Sequence, residues 1–333
     1  MTKKNVAVVA GGFTGEYPVS INSARNISDT LDPDRYVPFT ILITRARWCY
    51  AAPDGTEVPV NRDDFTISLN GETIRFDVAF ITIHGTPGED GKMQGYFDML
   101  GIPYTTCDAT TSAITMNKAW TKALVKGIPD LHSAESVQLF EHDAHDVIST
   151  AARLRFPLFI KPNNGGSSVG MSKVHDVAAL PDALSRAFAE DKQVLVEEFI
   201  GGREFSIGIA SLHGKVTVLP ATEIISSKEF FDYEAKYTPG VSHEITPADL
   251  NEEQLHRIEN IVRAVYRRLN CRGMVRVDFI LQKETGYFYF IEINTTPGQS
   301  ANSLIPQQVR ATGMSLQEFY GILVDDAMRA VSR

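Results

Sequence analysis

The sequence predicts an α/β protein that contains an open, mostly parallel sheet. Residues 6–10 are a continuous apolar run, which is typical of a strand buried on both faces of such a sheet. The run enters a turn at Gly11-Gly12, and residues 20–31 follow with helical periodicity. Apolar strands and amphipathic helices then alternate along a chain of 333 residues, which is long enough for two or three domains.

Further elements follow in order. Residues 37–44 read as a second strand, and residues 48–76 as a β-ribbon with hairpin turns at Asp54-Gly55 and Asn70-Gly71. We predict further strands at residues 77–83, 103–105, 158–162, 193–197, 205–212, 215–225, 274–281 and 287–293. We predict further helices at residues 93–100, 112–126, 178–189, 251–269 and 315–331.

Composition excludes several classes of protein. A net charge of −9 argues against a general nucleic-acid binder. The three cysteines are far apart and form no C-x-x-C pair, which argues against a disulfide framework or a structural zinc site and favours a reducing cytoplasm. The first apolar run is too short for a signal peptide, and no stretch approaches the roughly 18 apolar residues of a membrane span.

Polar side chains converge on two predicted neighbouring strands. Because side chains alternate along a strand, Arg276 and Asp278 face one way, and so do Glu292 and Asn294. If the two strands pair antiparallel through the turn at residues 283–286, these four groups meet. Two carboxylates and a carboxamide are oxygen ligands that suit Mg²⁺, and the arginine would offset developing negative charge. The alternative is a surface ribbon, but both strands are otherwise strongly apolar.

A loop rich in glycine and serine follows another strand. Residues 161–170 read KPNNGGSSVG, so backbone N–H groups and hydroxyls can approach an anion closely. Lys161, at the strand end, can serve as a point charge on phosphate. Such a loop alone is more often a plain turn, and the phosphate interpretation depends on the metal site downstream. Neither G-x-x-x-x-G-K-[ST] nor G-x-G-x-x-G occurs, so Walker-type and dinucleotide-binding folds gain no support.

A third pattern is weaker. The predicted strand over residues 193–197 includes Glu197 and is followed by Glu198, Phe199 and Ile200. Backbone groups of these four residues could form hydrogen bonds with the edge of an adenine ring. Glu204 follows and could accept hydrogen bonds from ribose hydroxyls. A strand that ends in a charged turn explains the pattern equally well.

Two further stretches make a family recognisable. Residues 84–95 match the signature H-G-x-x-G-E-D-G-x-x-Q-G, and residues 231–237, FDYEAKY, resemble a mobile loop over an active site. Over nearly its whole length the chain resembles the D-alanine–D-alanine ligases of the ATP-grasp superfamily. The resemblance implies a three-domain ATP-grasp α/β fold, with an N-terminal open α/β (Rossmann-like) domain over residues 1–108. It also implies a central subdomain over 109–200 and a C-terminal subdomain over 201–333.

The resemblance also implies the reaction and its setting. D-Alanine and ATP would be the small-molecule substrates, two Mg²⁺ (or Mn²⁺) the cofactors, and D-alanyl-D-alanine for peptidoglycan precursors the product. The enzyme would be a cytoplasmic homodimer with no nucleic-acid or membrane partner. Glu16 would bind the ammonium of the first D-alanine and His84 would orient it, while Ser303 and Leu304 would receive the carboxylate of the second.

Roles for the remaining residues follow from the same resemblance. Asp278, Glu292 and Asn294 would coordinate the metal ions, and Arg276 and the backbone N–H of Gly298 would stabilise the tetrahedral oxyanion. The residues implied to bind ATP are Lys118, Lys161 and Lys236 at the phosphates, Glu197, Glu198, Phe199 and Ile200 at adenine, and Glu204 at the ribose.

Ser167 and Tyr237 would complete a catalytic hydrogen-bond network with Glu16.

Three alternative functions remain at this point. Tyr237 argues against a depsipeptide ligase that uses D-lactate as its second substrate, and the motif at residues 84–95 argues against another ATP-grasp ligase. A non-catalytic ATP-binding module would need no amino-acid site, so the implied amino-acid ligands disfavour it.

Overall fold

The structure is a computed structural model that describes residues 2–142, 149, 153–166, 169–226 and 242–331. Within these residues the strands form three sheets, two of seven strands and one of four. No helix in this part of the chain is long and apolar enough to cross a membrane. The open α/β organisation predicted for the start of the chain is confirmed, because β1 (Lys4–Gly11) pairs parallel with both of its neighbours.

The first sheet has the order β6-β5-β4-β3-β2-β1-β7. Its remaining strands are β2 Tyr36–Ile43, β3 Trp48–Ala51, β4 Glu57–Asn61, β5 Thr66–Leu69, β6 Glu72–Ile74 and β7 Val78–Ile81, accompanied by helices α1 Tyr17–Thr30 and α2 Lys92–Leu100. The predicted β-ribbon is confirmed as the antiparallel meander β3 to β6. Asn70 and Gly71 both have positive φ, as a tight hairpin turn requires.

The second sheet is antiparallel, in the order β11-β10-β12-β9. The helices and strands that follow α2 in the chain, up to the last strand of this sheet, are α3 Ala109–Met116, α4 Lys118–Val125, β8 Leu131–His132, β9 Ser136–Phe140, β10 Leu158–Pro162, β11 Ser172–Val174, α5 Leu180–Glu190 and β12 Gln193–Glu198. Helix α5 covers one face of this sheet with a stripe of buried Leu and Ala side chains. Strand β8 belongs to the third sheet, where it pairs with β18.

The third sheet has the order β16-β15-β13-β17-β18-β8, with β14 paired to β13. Its elements are β13 Gly202–Leu212, β14 Lys215–Val218, β15 Thr222–Ser226, β16 Ser242–Ile245, α6 Glu252–Arg268, β17 Met274–Gln282, β18 Phe288–Asn294, α7 Leu304–Ala311 and α8 Leu316–Val331. Asn251 and Gln254 form a capping box that starts α6. The predicted antiparallel pairing of β17 with β18 is confirmed.

Three predicted elements were wrong. The helix over 112–126 is two helices, because Asn117 has extended backbone and its side chain caps α4 instead of continuing α3. The strand over 215–225 is two strands, since Pro220 lies between them and cannot donate to a ladder. Residues 103–105 contribute one isolated bridge, from Tyr104, and no strand.

The first and third sheets share a hydrophobic core. Phe319 and Tyr320 of α8 are fully buried in it, and the Tyr320 ring meets Phe80 of β7 edge-on at 5.7 Å. Because this core crosses from one sheet to the other, the two sheets pack as one unit. The division into residues 1–108, 109–200 and 201–333 stays a prediction.

Gly273, just before β17, lies against the backbone of Thr105. It has a φ of +62°, and a Cβ there would overlap the carbonyl oxygen of Thr105. Gly313 also has positive φ, +83°, but a Cβ there would meet no heavy atom within 4 Å. Comparing substitutions at the two glycines therefore distinguishes the cost of a positive φ from the cost of steric overlap.

We predict that Gly273→Ala destabilises the protein more than Gly313→Ala does. The positive φ should cost each variant about 1 kcal/mol, and overlap with Thr105 should add about 1–3 kcal/mol to Gly273→Ala. The urea midpoint of unfolding measures the difference. Equal shifts in the two variants would show that the close approach at Thr105 does not constrain the fold.

Candidate active site

A cavity of about 550 Å³ lies where the three sheets meet. It is lined by every predicted site residue that the structure describes: Glu16, His84, Lys118, Lys161, Glu197, Glu198, Phe199, Ile200, Glu204, Arg276, Asp278, Glu292, Asn294, Gly298, Ser303 and Leu304. Ser167, Lys236 and Tyr237 lie outside the described residues. The structure thus brings together side chains from distant parts of the sequence, while their individual roles stay predictions.

The predicted metal ligands face each other across β17 and β18. In the ladder Asp278 lies opposite Glu292, and Arg276 lies opposite Asn294. Asn294 donates to Asp278 at 3.2 Å, and Ser206 Oγ donates to its other oxygen at 2.5 Å. These contacts fix the Asp278 carboxylate at the cavity wall.

The donor set fits Mg²⁺. Across the described residues, no three His, Cys, Asp or Glu side chains group as a metal site. Mg²⁺ is usually held by one or two carboxylates together with substrate phosphates, so Asp278, Glu292 and the amide of Asn294 are a sufficient set.

Arg276 forms a fork with Asp278. Its Nε and Nη2 atoms donate to the two carboxylate oxygens at 2.9 and 2.8 Å. Burial opposes the guanidinium charge, but Asp278, Glu292 and Glu89 together outweigh it, and the pKa of Arg276 is raised above its ordinary value. Arg276 is therefore a fixed positive charge beside the predicted metal ligands.

Three lysines line the middle of the cavity. Lys118 Nζ lies 3.1 Å from Glu292 Oε2 and donates to the carbonyl oxygen of Gly165 at 2.5 Å. Lys161 and Lys122 both contact the Glu197 carboxylate, one at each oxygen. Ammonium groups and carboxylates therefore alternate through this region.

The start of the glycine-rich loop holds Lys118 in place. Asn163 is fully buried, and its carbonyl and side-chain oxygens accept from the backbone N–H groups of Lys118 and Ala119 at 3.1 and 2.9 Å. Asn164 is tied to Asp191 through its backbone and side-chain nitrogens. The loop thus orients the first turn of α4 toward the cavity.

Phe199 forms an aromatic wall at the other end. Its ring lies parallel to that of Phe159 at 5.9 Å, and Lys173 Nζ sits 3.6 Å from its centre. The carboxylate of Glu198 is engaged by Arg155 in a bidentate contact, which lowers the pKa of Glu198. The side chain of Glu198 is therefore occupied by Arg155, and Phe199 presents an aromatic ring beside it.

Another part of the cavity combines a buried imidazole with two carboxyl groups. Burial lowers the pKa of His84, and the charge of Glu16 opposes that shift. The Nε2 atom of His84 has no hydrogen-bond partner among the described residues. Glu89 accepts from the backbone N–H groups of Gly85 and Thr296 at 2.7 and 3.2 Å. Burial, with a contribution from Glu16, raises the pKa of Glu89 to about 8 and so favours its neutral form, which leaves Glu16 as the better acceptor for an ammonium group.

A helix N-terminus opens into the same cavity. Ser303 caps α7 with extended backbone and no side-chain cap bond, and its hydroxyl instead contacts that of Ser300 at 2.7 Å. Unpaired N–H groups at a helix start favour a carboxylate. The placement fits the role predicted for Ser303 and Leu304.

Lys122 and Glu89 are two charged residues of the cavity wall to which the sequence patterns assigned no role. Lys122 lies four residues after Lys118, so the i, i+4 spacing could have placed it on the same helix face. Glu89 lies inside the signature at residues 84–95, where only His84 received a role.

Comparisons with known proteins identify the family. Residues 5–107 match the family model described as D-ala D-ala ligase N-terminus, and residues 127–325 match D-ala D-ala ligase C-terminus. A D-alanine–D-alanine ligase of Parabacteroides distasonis is 41% identical over 98% of both chains. One of Porphyromonas gingivalis strain W83 is 43% identical, covering 98% of this chain and 99% of that one.

Solved structures agree. The VanG D-Ala:D-Ser ligase of Enterococcus faecalis matches with a TM-score of 0.87 and 31% identity, covering 97% of this chain and 99% of that one. The D-alanyl-alanine synthetase A of Vibrio cholerae matches with a TM-score of 0.87 and 26% identity over 99% of both chains. The expected ATP-grasp α/β fold is thereby confirmed, and the chain belongs to the D-alanine–D-alanine ligase family of ATP-dependent ligases.

Proposed function

We propose that this enzyme uses ATP to join two D-alanine molecules into D-alanyl-D-alanine, a building block of peptidoglycan precursors. One observation carries the proposal: a single cavity combines a lysine-lined region beside paired carboxylates with an amino-acid end formed by Glu16 and His84. A module that only bound ATP would need the lysine-lined region and would not need the amino-acid end.

The chemistry follows from these groups. A carboxylate oxygen of the first D-alanine attacks the γ-phosphorus of ATP, the bond to the β-phosphate oxygen breaks, and ADP leaves. Lys118 and Lys161, with Lys236 from outside the described residues, would offset the phosphate charge. The amine of the second D-alanine loses a proton and attacks the acyl carbon. Arg276 and the N–H of Gly298 would stabilise the oxyanion until phosphate leaves.

We propose that Asp278, Glu292 and Asn294 hold two Mg²⁺, or Mn²⁺, against the phosphates. Bound there, the metal would neutralise phosphate charge and orient the transferred group. The support is the oxygen-rich donor set at the junction of β17 and β18. Arg276 remains paired to Asp278 and holds that carboxylate in place.

Selection of the second substrate involves groups at both ends of its binding region. The N-terminus of α7 would receive a carboxylate, a group that D-alanine, D-serine and D-lactate share. We propose that Tyr237, hydrogen-bonded with Ser167 and Glu16, favours an amine nucleophile over a hydroxyl.

We also propose that the enzyme is a homodimer, from the family resemblance, and that it is cytoplasmic, from the cysteine usage.

The direct test is phosphate release from ATP with D-alanine, L-alanine or no amino acid. We expect release with D-alanine, with one dipeptide formed per phosphate, and little release in the other two arms. D-Serine and D-lactate, each added as competitor to D-alanine, reveal the second-substrate preference by chromatography. Equal release with L-alanine, or release without any amino acid, would contradict the proposal.

Glu292→Gln tests the metal site. Loss of a carboxylate ligand should lower turnover at limiting Mg²⁺ on the order of a hundredfold, because transition-state charge is less well neutralised. Glu223→Gln is the matched control: Glu223 is a buried carboxylate of the same sheet, paired with Arg203 outside the cavity. Turnover against Mg²⁺ concentration is the measurement.

The two variants should differ in a defined way. Glu223→Gln should keep the wild-type Mg²⁺ dependence even if it loses stability. Glu292→Gln should keep its fold and bind Mg²⁺ with a non-hydrolysable ATP analogue more weakly in calorimetry. Near-normal turnover of Glu292→Gln at limiting Mg²⁺ would show that the assignment is wrong.

A further inference from the structure

The Glu197 carboxylate lies between two buried ammonium groups. Oε1 contacts Lys122 Nζ and Oε2 contacts Lys161 Nζ, and the three side chains are 7%, 7% and 8% exposed respectively. Lys161 and Glu197 have predicted roles in ATP binding. Lys122 has none, although it lines the same cavity and contacts the same carboxylate.

Counting charges shows what Lys122 adds. Lys118 is paired with Glu292, so Lys122 and Lys161 share one carboxylate, and the group carries one excess positive charge when both are protonated. Burial lowers the pKa of both lysines; Lys161 and Lys118 lower that of Lys122 further, and Lys118 lowers that of Lys161. An anion entering the cavity would relieve this excess.

Lys161 cannot serve Glu197 and a phosphate equally well. When its ammonium turns to a phosphate oxygen, its contact with Glu197 weakens. A buried carboxylate left without a partner is strongly unfavourable. With Lys122 in place, Glu197 keeps a counterion and Lys161 is released at small cost.

We propose that Lys122 is a positioning residue for nucleotide binding: it holds Glu197 so that Lys161 is free to bind phosphate. The inference rests on the proposed function in that it takes an adenine nucleotide as the ligand. It assigns Lys122 no contact with the nucleotide. A rival role, in which Lys122 only orients Glu197 toward adenine, makes a different prediction.

The experiment compares ADP with adenosine by calorimetry on the whole protein, without amino acid, so that no turnover occurs. Lys122→Met removes the charge and keeps most of the bulk. We expect its ADP affinity to fall about tenfold or more, as for loss of a charged contact, and its adenosine affinity to stay within about twofold. Lys126→Met, one turn further along and exposed, makes the same change in net charge and should alter neither affinity.

Glu197→Gln provides an independent arm that does not require Lys122→Met to fold. Neutralising the carboxylate frees Lys161, so the ratio of ADP affinity to adenosine affinity should rise. In the double variant Lys122→Met/Glu197→Gln, the ratio of ADP affinity to adenosine affinity should exceed the ratio measured for Lys122→Met alone.

Two results would overturn the proposal. Unchanged ADP affinity in Lys122→Met is one, and an equal loss for ADP and adenosine, as the rival role requires, is the other. If Lys122→Met does not fold, an unchanged ratio in Glu197→Gln overturns it instead. Absence of ADP binding to the wild-type protein is a separate outcome, since it would refute the proposed function itself and the inference with it.

Discussion

Ion pairing among buried side chains is the constraint on which this site depends. A charge removed from water must find a partner, and here two lysines of the cavity find theirs on other elements of the fold. Lys118 at the start of α4 reaches Glu292 on β18, and Lys161 on β10 reaches Glu197 on β12. These pairs hold Lys118 and Lys161 in the cavity wall. In the proposed function a nucleotide would meet groups already in position, which would lower the reorganisation that binding requires.

The core shared by the first and third sheets supplies the remaining geometry. Phe319 and Tyr320 anchor α8 between the sheets, and Gly273 permits close backbone contact at their junction. His84, which follows the first sheet, consequently lies within electrostatic range of Arg276 on the third. The proposed amino-acid and phosphate sites therefore line one cavity, an arrangement that would suit transfer of a phosphoryl group to a bound carboxylate.

Sequence reasoning succeeded where a local rule fixes side-chain direction. Alternation along two strands was enough to place Asp278, Glu292 and Asn294 on one face, and the ladder puts them together. It failed where the deciding contact is distant or the local signal is ambiguous. Asn117 could continue a helix or cap one, and its capping side chain decides between them. Lys122 looked like an ordinary helix residue, since its partner Glu197 lies on β12, far away in the sequence.

We propose that this cavity activates a carboxylate by phosphorylating it. D-Alanine labelled with oxygen-18 in its carboxylate tests this step directly, because the bridging oxygen of an acyl phosphate leaves with the phosphate. We expect one labelled oxygen in inorganic phosphate for each dipeptide formed, with ADP unlabelled. Label in AMP would indicate an acyl adenylate, and unlabelled phosphate would indicate ATP hydrolysis by water. Either result would show that the carboxylate is not activated as an acyl phosphate.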